Sequence, residues 1–236
     1  MPSPTKGKFE EMRRLAILLL LLVACAPRAT EPQTNTTLIQ GPVGFYPAQP
    51  GLDWIYLPPR ASMGEPPVRL SIIGPTTFEG QPAIRYRLSG RGLERSYYRQ
   101  VDAGGVRLLG IEDFDRLQVA RYTPPIQEYP PPASLAVGAR WGGQTREVIE
   151  LRAGNNVTRV VDRLLDYTYT VLNKSNVTVP AGNFEVFRIA WEVRDPRNPA
   201  LRENFELWFF PGVGEVFSSV NFGEQGGLSL VDRNFR

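Results

Sequence analysis

Apolar and polar side chains alternate along most of the chain after residue 51. The clearest run, residues 84–88, places isoleucine, tyrosine and leucine on one side and two arginines on the other. The same period of two recurs in residues 187–193 and 205–209. This period is typical of a half-buried β-strand. Turn sequences rich in Gly, Asn and Pro separate about eleven such runs, which predicts antiparallel strands joined mostly by hairpins.

The pattern therefore predicts an all-β domain over residues 51–236, built as an antiparallel, curved meander sheet or half-barrel. Residues 51–122 and 135–236 share an order of alternating strand, aromatic strand, Gly turn and further strand. Two similar halves would explain this order, and so would the general likeness of hairpins. The stretch 124–132 ends in three consecutive prolines, which cannot enter a sheet interior, so it is predicted to connect the halves.

One predicted strand face is not uniformly apolar. Alternate residues from Val157 to Val171 include valine, leucine and tyrosine, but Arg159 and Arg163 interrupt them. The tryptophans Trp141 and Trp208 are predicted to belong to the core rather than to stack on a ligand.

The N-terminal end of the chain has a different pattern. Arg13 and Arg14 precede ten apolar residues, 15–24, which is the length of a secretory signal and half of the roughly 20 residues that a membrane-spanning helix needs. Residues 1–24 are thus predicted to be a signal peptide. Met12 begins a cleaner signal than Met1, so Met12 is an alternative start.

Residues 22–25 read Leu-Val-Ala-Cys, and Cys25 is the only cysteine of the chain. This sequence resembles the lipobox of bacterial lipoproteins at all four positions, whereas an ordinary signal with an incidental cysteine is the alternative. The resemblance implies that Cys25 is diacylated and anchors the protein to a membrane of the bacterial cell envelope. Ala26 after the cysteine favours the outer membrane, facing the periplasm or the cell surface. Residues 25–50, rich in Pro, Thr, Asn and Gln, are predicted to be a flexible tether.

The composition of the chain excludes several kinds of catalytic and metal site. The chain has no histidine, which excludes Ser-His-Asp triads, Cys-His dyads and His-ligated zinc. Without residues 1–24 the net charge falls from +3 to +1, and no basic cluster indicates nucleic-acid binding. We expect no cofactor and no metal.

Acidic clusters are the remaining candidates for catalysis. On a strand, Asp113 and Asp115 would face the same way about 6–7 Å apart, near the spacing of a catalytic carboxylate pair. Glu112 is adjacent, and Asp162 and Asp166 could also share a face. Such clusters are more often solvated hairpin ends, so the chain is predicted not to be an enzyme, and a carboxylate-dependent hydrolase is the remote alternative. Calcium binding is not expected because no Asp-x-Asp-x-Asp-Gly loop follows.

Three short sequence motifs carry a further resemblance. Residues 177–186 contain Val-Pro-Ala-Gly-Asn-Phe, residues 208–216 read Trp-Phe-Phe-Pro-Gly-Val-Gly-Glu-Val, and residues 135–141 read Leu-Ala-Val-Gly-Ala-Arg-Trp. Together they resemble DUF3108/TapB-like periplasmic β proteins. The resemblance implies a curved antiparallel sheet, related to the half-barrels that carry lipoproteins, and it supplies no catalytic residues.

These observations favour a non-catalytic, lipid-anchored envelope protein whose concave sheet binds a lipid or another apolar ligand. The alternative is a structural or assembly partner of other envelope proteins, docking through an exposed sheet edge.

Overall fold

The computed structural model describes residues 43–153, 156–220 and 226–236. The predicted signal peptide, Cys25 and the tether up to residue 42 lie outside the described residues.

Strands account for most of the described chain. They are β1 (Asp53–Leu57), β2 (Val68–Phe78), β3 (Gln81–Gly90), β4 (Leu93–Asp102), β5 (Gly105–Asp113), β6 (Gln118–Tyr129), β7 (Arg140–Ala153), β8 (Asn156–Val179), β9 (Gly182–Asp195), β10 (Asn198–Phe210), β11 (Gly214–Ser218) and β12 (Leu228–Arg233). A short 3₁₀ turn, Pro132–Ser134, precedes β7. In the part of the chain that the structure describes, no helix is long and apolar enough to cross a membrane.

Each strand pairs with its neighbours in sequence, and β1 also pairs antiparallel with β12, so the sheet closes into a twelve-stranded barrel. The prediction of an all-β, antiparallel meander is confirmed. The expectation of an open sheet or half-barrel is corrected, because Trp54 lies opposite Arg233 and Leu57 opposite Ser229. Alternation shows which face of a strand is buried, but it does not show that the first and last strands meet.

The side chain of Asn234 fastens this closure. Its amide nitrogen donates to the Gly51 carbonyl at 2.8 Å, and its oxygen accepts from the Asp53 backbone N–H at 2.8 Å. The residue that follows β12 thus holds the residues that begin β1.

The proline-rich stretch departs from the prediction. Strand β6 continues through Pro124 and Pro125 instead of ending before them. It pairs with β7 as far as Thr123 and resumes pairing with β5 at Ile126. Because proline has no backbone N–H to donate, Pro124 and Pro125 fall in a gap of the β5–β6 ladder between Arg121 and Ile126, and β6 has no partner in β7 after Thr123. The stretches 51–122 and 135–236 therefore belong to one continuous sheet, and their similarity as halves stays a prediction.

The segment of residues 43–52, which we call the plug, covers one end of the barrel. The Tyr46 ring lies 5.4 Å from the ring of Tyr129 and 5.5 Å from that of Phe209, measured between centroids. Its hydroxyl donates to the Pro130 carbonyl at 2.6 Å. These partners lie at the ends of β6 and β10, so the plug closes the barrel where those strands finish.

A small second cluster packs separately from the main core. It consists of Phe78, Ala83, Tyr98, Leu109 and Val119. The rings of Phe78 and Tyr98 stack with their centroids 4.4 Å apart. Gly110 is required here, because a Cβ atom at this position would lie 2.4 Å from the Phe78 ring and 2.4 Å from the Ala120 carbonyl oxygen.

Candidate functional site

The barrel contains a cavity of about 690 Å³. Small-molecule sites commonly measure about 300–1,000 Å³, so the space is large enough for a ligand. Its wall is mostly aromatic and aliphatic, as the inward positions of the strands predict. Representative lining residues are Trp54, Leu70, Tyr97, Ile126 and Leu165.

An aromatic row crosses four neighbouring strands beside this cavity. Trp141 on β7, Tyr169 on β8, Trp191 on β9 and Phe205 on β10 lie opposite one another in register. Tyr169 stacks between the two indoles, with centroid distances of 5.3 Å and 5.4 Å. Cross-strand aromatic pairs stabilise a sheet. The indole N–H of Trp191 is buried and has no hydrogen-bond partner among the residues that the structure describes.

The two tryptophans that the sequence assigned to the core do pack against it. Trp141 donates its indole N–H to the Gln127 carbonyl at 3.1 Å. Trp208 packs against Phe217, with 4.5 Å between ring centroids.

Arg163, which interrupts the apolar face of β8, also lies on the cavity wall. It pairs with Glu147, the residue directly opposite on β7. The Glu147 side chain is 7% exposed. The interruption in the pattern therefore marks an ion pair on the inner face, whereas Arg159 is exposed.

Arg99 lies among tyrosines closer to the plug. Its guanidinium carbon is 4.8 Å from the ring centroid of Tyr86 and 4.9 Å from that of Tyr97, within cation–π range. It donates two hydrogen bonds to the Glu128 carboxylate, at 2.6 Å and 3.0 Å. Burial opposes the charge of Arg99, but the neighbouring Glu128 carboxylate outweighs it and raises the pKa of Arg99.

Glu215 lies at the same end of the cavity, opposite Phe209 in the β10–β11 register. Its carboxylate accepts a hydrogen bond from the Tyr129 hydroxyl at 2.8 Å. Burial raises the pKa of Glu215, and the nearby Arg99 charge lowers it only in part.

Sequence reasoning missed Arg99, Glu128 and Glu215. The available signal was the one noticed for Arg163, a charged residue at an inward position between apolar neighbours. Arg99, for example, falls in step with Tyr97 and Val101.

The cavity is closed at one end and open at the other. Tyr46, on the plug, lines it and is only 7% exposed. Glu203 and Asn204, in the middle of β10, also line it and are exposed to solvent. The Arg163 side chain beside them is 35% exposed. We call this end the mouth.

The first acidic cluster does not form a facing pair. Asp113 ends β5 and binds Arg95 at 2.9 Å, whereas Asp115 lies in the following turn and accepts from the Glu94 backbone N–H at 2.5 Å. Glu112 accepts from the Tyr98 hydroxyl. The expectation that Asp113 and Asp115 share a strand face is therefore wrong, because the strand ends between them.

The second acidic pair is also engaged. Asp162 forms an ion pair with Arg146, and Asp166 binds Gln144 and Arg194. Within residues 43–153, 156–220 and 226–236, no group of three or more acidic or sulfur ligands is placed to hold a metal ion.

No protein-family model and no curated protein matches the chain. A solved structure from Bacteroides fragilis, of a protein thought to be exported and with a YmcC-like fold, is 12% identical over 81% of this chain and 99% of its own, with a TM-score of 0.48. One from Parabacteroides distasonis, thought to be a lipoprotein, is 13% identical over 82% and 100%, with a TM-score of 0.40. The hypothetical lipoprotein YmcC from Escherichia coli is 10% identical over 78% and 85%, with a TM-score of 0.42.

Proposed function

We propose that the barrel is a binding module that holds an apolar ligand in its cavity. The observation that carries the proposal is a space of about 690 Å³ inside a closed sheet, walled by aromatic and aliphatic side chains and open at one end. An apolar ligand that covers this wall gains a free energy of about 25 cal/mol for each Å² of apolar surface removed from water.

We further propose that the protein carrying this module is non-catalytic and is anchored in the bacterial cell envelope through an acylated Cys25. The support is the charged and apolar leader followed by the Leu-Val-Ala-Cys sequence of residues 22–25. Two or more acyl chains anchor a protein stably, whereas one holds it weakly. The resemblance to DUF3108/TapB-like proteins belongs to the same proposal. Mass analysis of the native protein should find an acylated Cys25 at its N-terminus, and an unmodified thiol would contradict the anchor.

Ligand binding is tested with the full chain carrying Cys25→Ala, produced in the cytoplasm so that it has no acyl group. Displacement of a fluorescent apolar probe by dodecanol measures the affinity. Leu165→Trp fills the cavity, since Leu165 lines it and is 5% exposed. We expect this variant to bind about tenfold more weakly, because the indole occupies space that the ligand needs.

Leu172→Trp is the matched control, because Leu172 lies on the same strand and is 50% exposed. It should bind as the parent protein does. Equal affinities for both variants, or no binding by the parent, would show that the cavity is not the site. Thermal melts monitored by circular dichroism verify that both variants fold.

The alternative role is docking on envelope proteins through an exposed sheet edge, and barrel closure reduces the edge available for it. Every described strand has a neighbour on both sides. The β10–β11 register begins only at Leu207, however, so among the described residues the 198–205 part of β10 has β9 as its one strand partner. Docking through an edge therefore stays a prediction.

A further inference from the structure

Charged side chains on the cavity wall are unequal in number. Three arginines line the cavity, and each forms an ion pair with one carboxylate: Arg95 with Asp113, Arg99 with Glu128, and Arg163 with Glu147. Four carboxylates line the same wall: the two partners Glu128 and Glu147, Glu203 at the mouth, and Glu215 near the plug. Among the described residues, the cavity is therefore richer in carboxylates than in cations.

At the closed end, Glu215 is the lining carboxylate that forms no ion pair within the described part of the chain. The nearby Arg99 guanidinium directs two hydrogen bonds to Glu128 in a bidentate arrangement. The partners of Glu215 are hydroxyl groups, which carry no charge: Tyr129 donates to it at 2.8 Å, and Ser218 also forms a hydrogen bond with it. A buried carboxylate of this kind is costly unless a positive charge lies beside it.

Aromatic rings surround this position. The Tyr129 ring, whose hydroxyl binds Glu215, packs against the rings of Tyr46 and Phe209 at centroid distances of 5.4 Å and 4.7 Å. The faces of such rings attract cations, as they do for Arg99 between its two tyrosines. A carboxylate beside aromatic faces at the end of an apolar cavity is complementary to an alkyl chain that ends in an amine.

We propose that the apolar ligand carries one cationic group, an amine or ammonium, which sits beside Glu215 while the chain extends along the wall towards the mouth. This inference rests on the proposed function and specifies its ligand. A fatty acid is the opposite case, because its carboxylate would be repelled by Glu215 and would find the guanidinium of Arg99 already bound to Glu128.

The protonation of Glu215 agrees with this geometry. Burial raises the pKa of the Glu215 carboxyl in the absence of a ligand. A cation placed beside it would favour the ionised form and so release a proton on binding.

The experiment compares three probes of equal chain length, dodecylammonium, dodecanol and dodecanoate, on the full chain carrying Cys25→Ala. Isothermal titration calorimetry at neutral pH, below the micelle concentrations, gives each Kd. We expect dodecylammonium to bind about tenfold more tightly than dodecanol, and dodecanoate to bind more weakly than dodecanol, because of the ion pair gained or the repulsion introduced.

Two variants locate the cation. Glu215→Gln should abolish the roughly tenfold preference for dodecylammonium over dodecanol, because the amide keeps the shape and removes the charge. Glu203→Gln, at the mouth, is the matched control and should retain the preference.

The outcomes separate the two proposals. Binding of dodecanol without a preference for dodecylammonium, tightest binding of dodecanoate, or loss of the preference in Glu203→Gln overturns the cationic ligand but leaves an apolar site. No binding of any probe overturns both. The order of affinities in the parent protein decides the matter even if Glu215→Gln does not fold.

Discussion

Arg99 and Glu128 form an ion pair on the cavity wall near the plug, and both side chains are largely removed from water. Their side chains are 16% and 15% exposed. Charges removed from water in this way depend on each other, because either one alone is left without compensation. Removing one partner should therefore lower the free energy of unfolding, apart from any effect on ligand affinity.

Arg99→Leu should lower the free energy of unfolding by about 3–5 kcal/mol, because it leaves Glu128 and Glu215 buried with no cation between them. Adding Glu128→Leu should recover part of that loss by removing one of the two carboxylates. Urea denaturation of the parent, the single variant and the double variant measures both effects. A double variant that is less stable than Arg99→Leu alone would contradict the assignment.

Glu215 gives the stability a dependence on pH whose sign follows from its raised pKa. The folded protein holds the proton of this carboxyl more tightly than the unfolded chain does. Its contribution is therefore fully present below the unfolded pKa, about 4.3, and is lost as the pH rises through the folded pKa.

Glu215→Gln should accordingly gain stability relative to the parent protein as the pH rises from about 4 to 8, because the amide never ionises. Chemical denaturation of both proteins across this range gives the difference. A difference that stays constant with pH would show that Glu215 does not titrate abnormally.

At the scale of the strands, the sequence predicted what local periodicity controls. Alternation defines a strand and its buried face, so runs such as residues 84–88 fall inside observed strands. Two features of the sheet were not predicted from this periodicity, each for a different reason. Strand β6 was cut short because prolines weaken a strand locally, yet pairing on both sides of Pro124 and Pro125 restores it. The meeting of β1 and β12 was missed because it joins residues almost a whole chain apart, which no local pattern records.

The same distinction applies to the site. The interruption by Arg163 was visible in the sequence, and its partner Glu147 was not, because the register of two strands decides which residues lie opposite each other. The cavity depends on closure as well, so neither its volume nor the isolation of Glu215 could be read from alternation. The acidic cluster around Asp113 misled because a strand end cannot be located to within two residues.

Closure through Asn234 can be tested as an element-level property. Asn234→Ala removes both hydrogen bonds to the start of β1 and should cost about 1–3 kcal/mol of unfolding free energy, because a part-buried carbonyl and N–H lose their partners. Amide hydrogen exchange in β1 and β12 should become faster than in β4.

Asn183→Ala is the matched control, because Asn183 accepts a single exposed hydrogen bond from Thr178 in a hairpin. It should change the stability by less than about 0.5 kcal/mol. Equal losses for the two variants would show that Asn234 does not fasten the barrel.

For the whole molecule, closure means that each described strand has a hydrogen-bonded neighbour on both sides. Unpaired strand edges template aggregation, and a closed barrel removes them. Deleting residues 228–236 would remove β12 and leave β1 and β11 as edges, besides removing Phe235, which is 1% exposed against Trp54.

We expect that deletion to give aggregated protein, or protein that elutes from a sizing column as oligomers, whereas deletion of the exposed Arg236 alone should leave a monodisperse barrel. A truncated chain that stayed monomeric and folded would mean that the remaining strands close without β12.

The plug has a mechanical consequence that follows from chain connectivity. Tension applied to the chain on the N-terminal side of Val43 reaches Phe45 and Tyr46 before it reaches β1, the first strand of the barrel. Drawing Tyr46 out would break its hydrogen bond to Pro130 and part its ring from Tyr129 and Phe209. Tension on the chain before Val43 would thus displace the plug before it reached any strand of the barrel. The cavity would then have a second opening, at the end opposite the mouth, that depends on applied force.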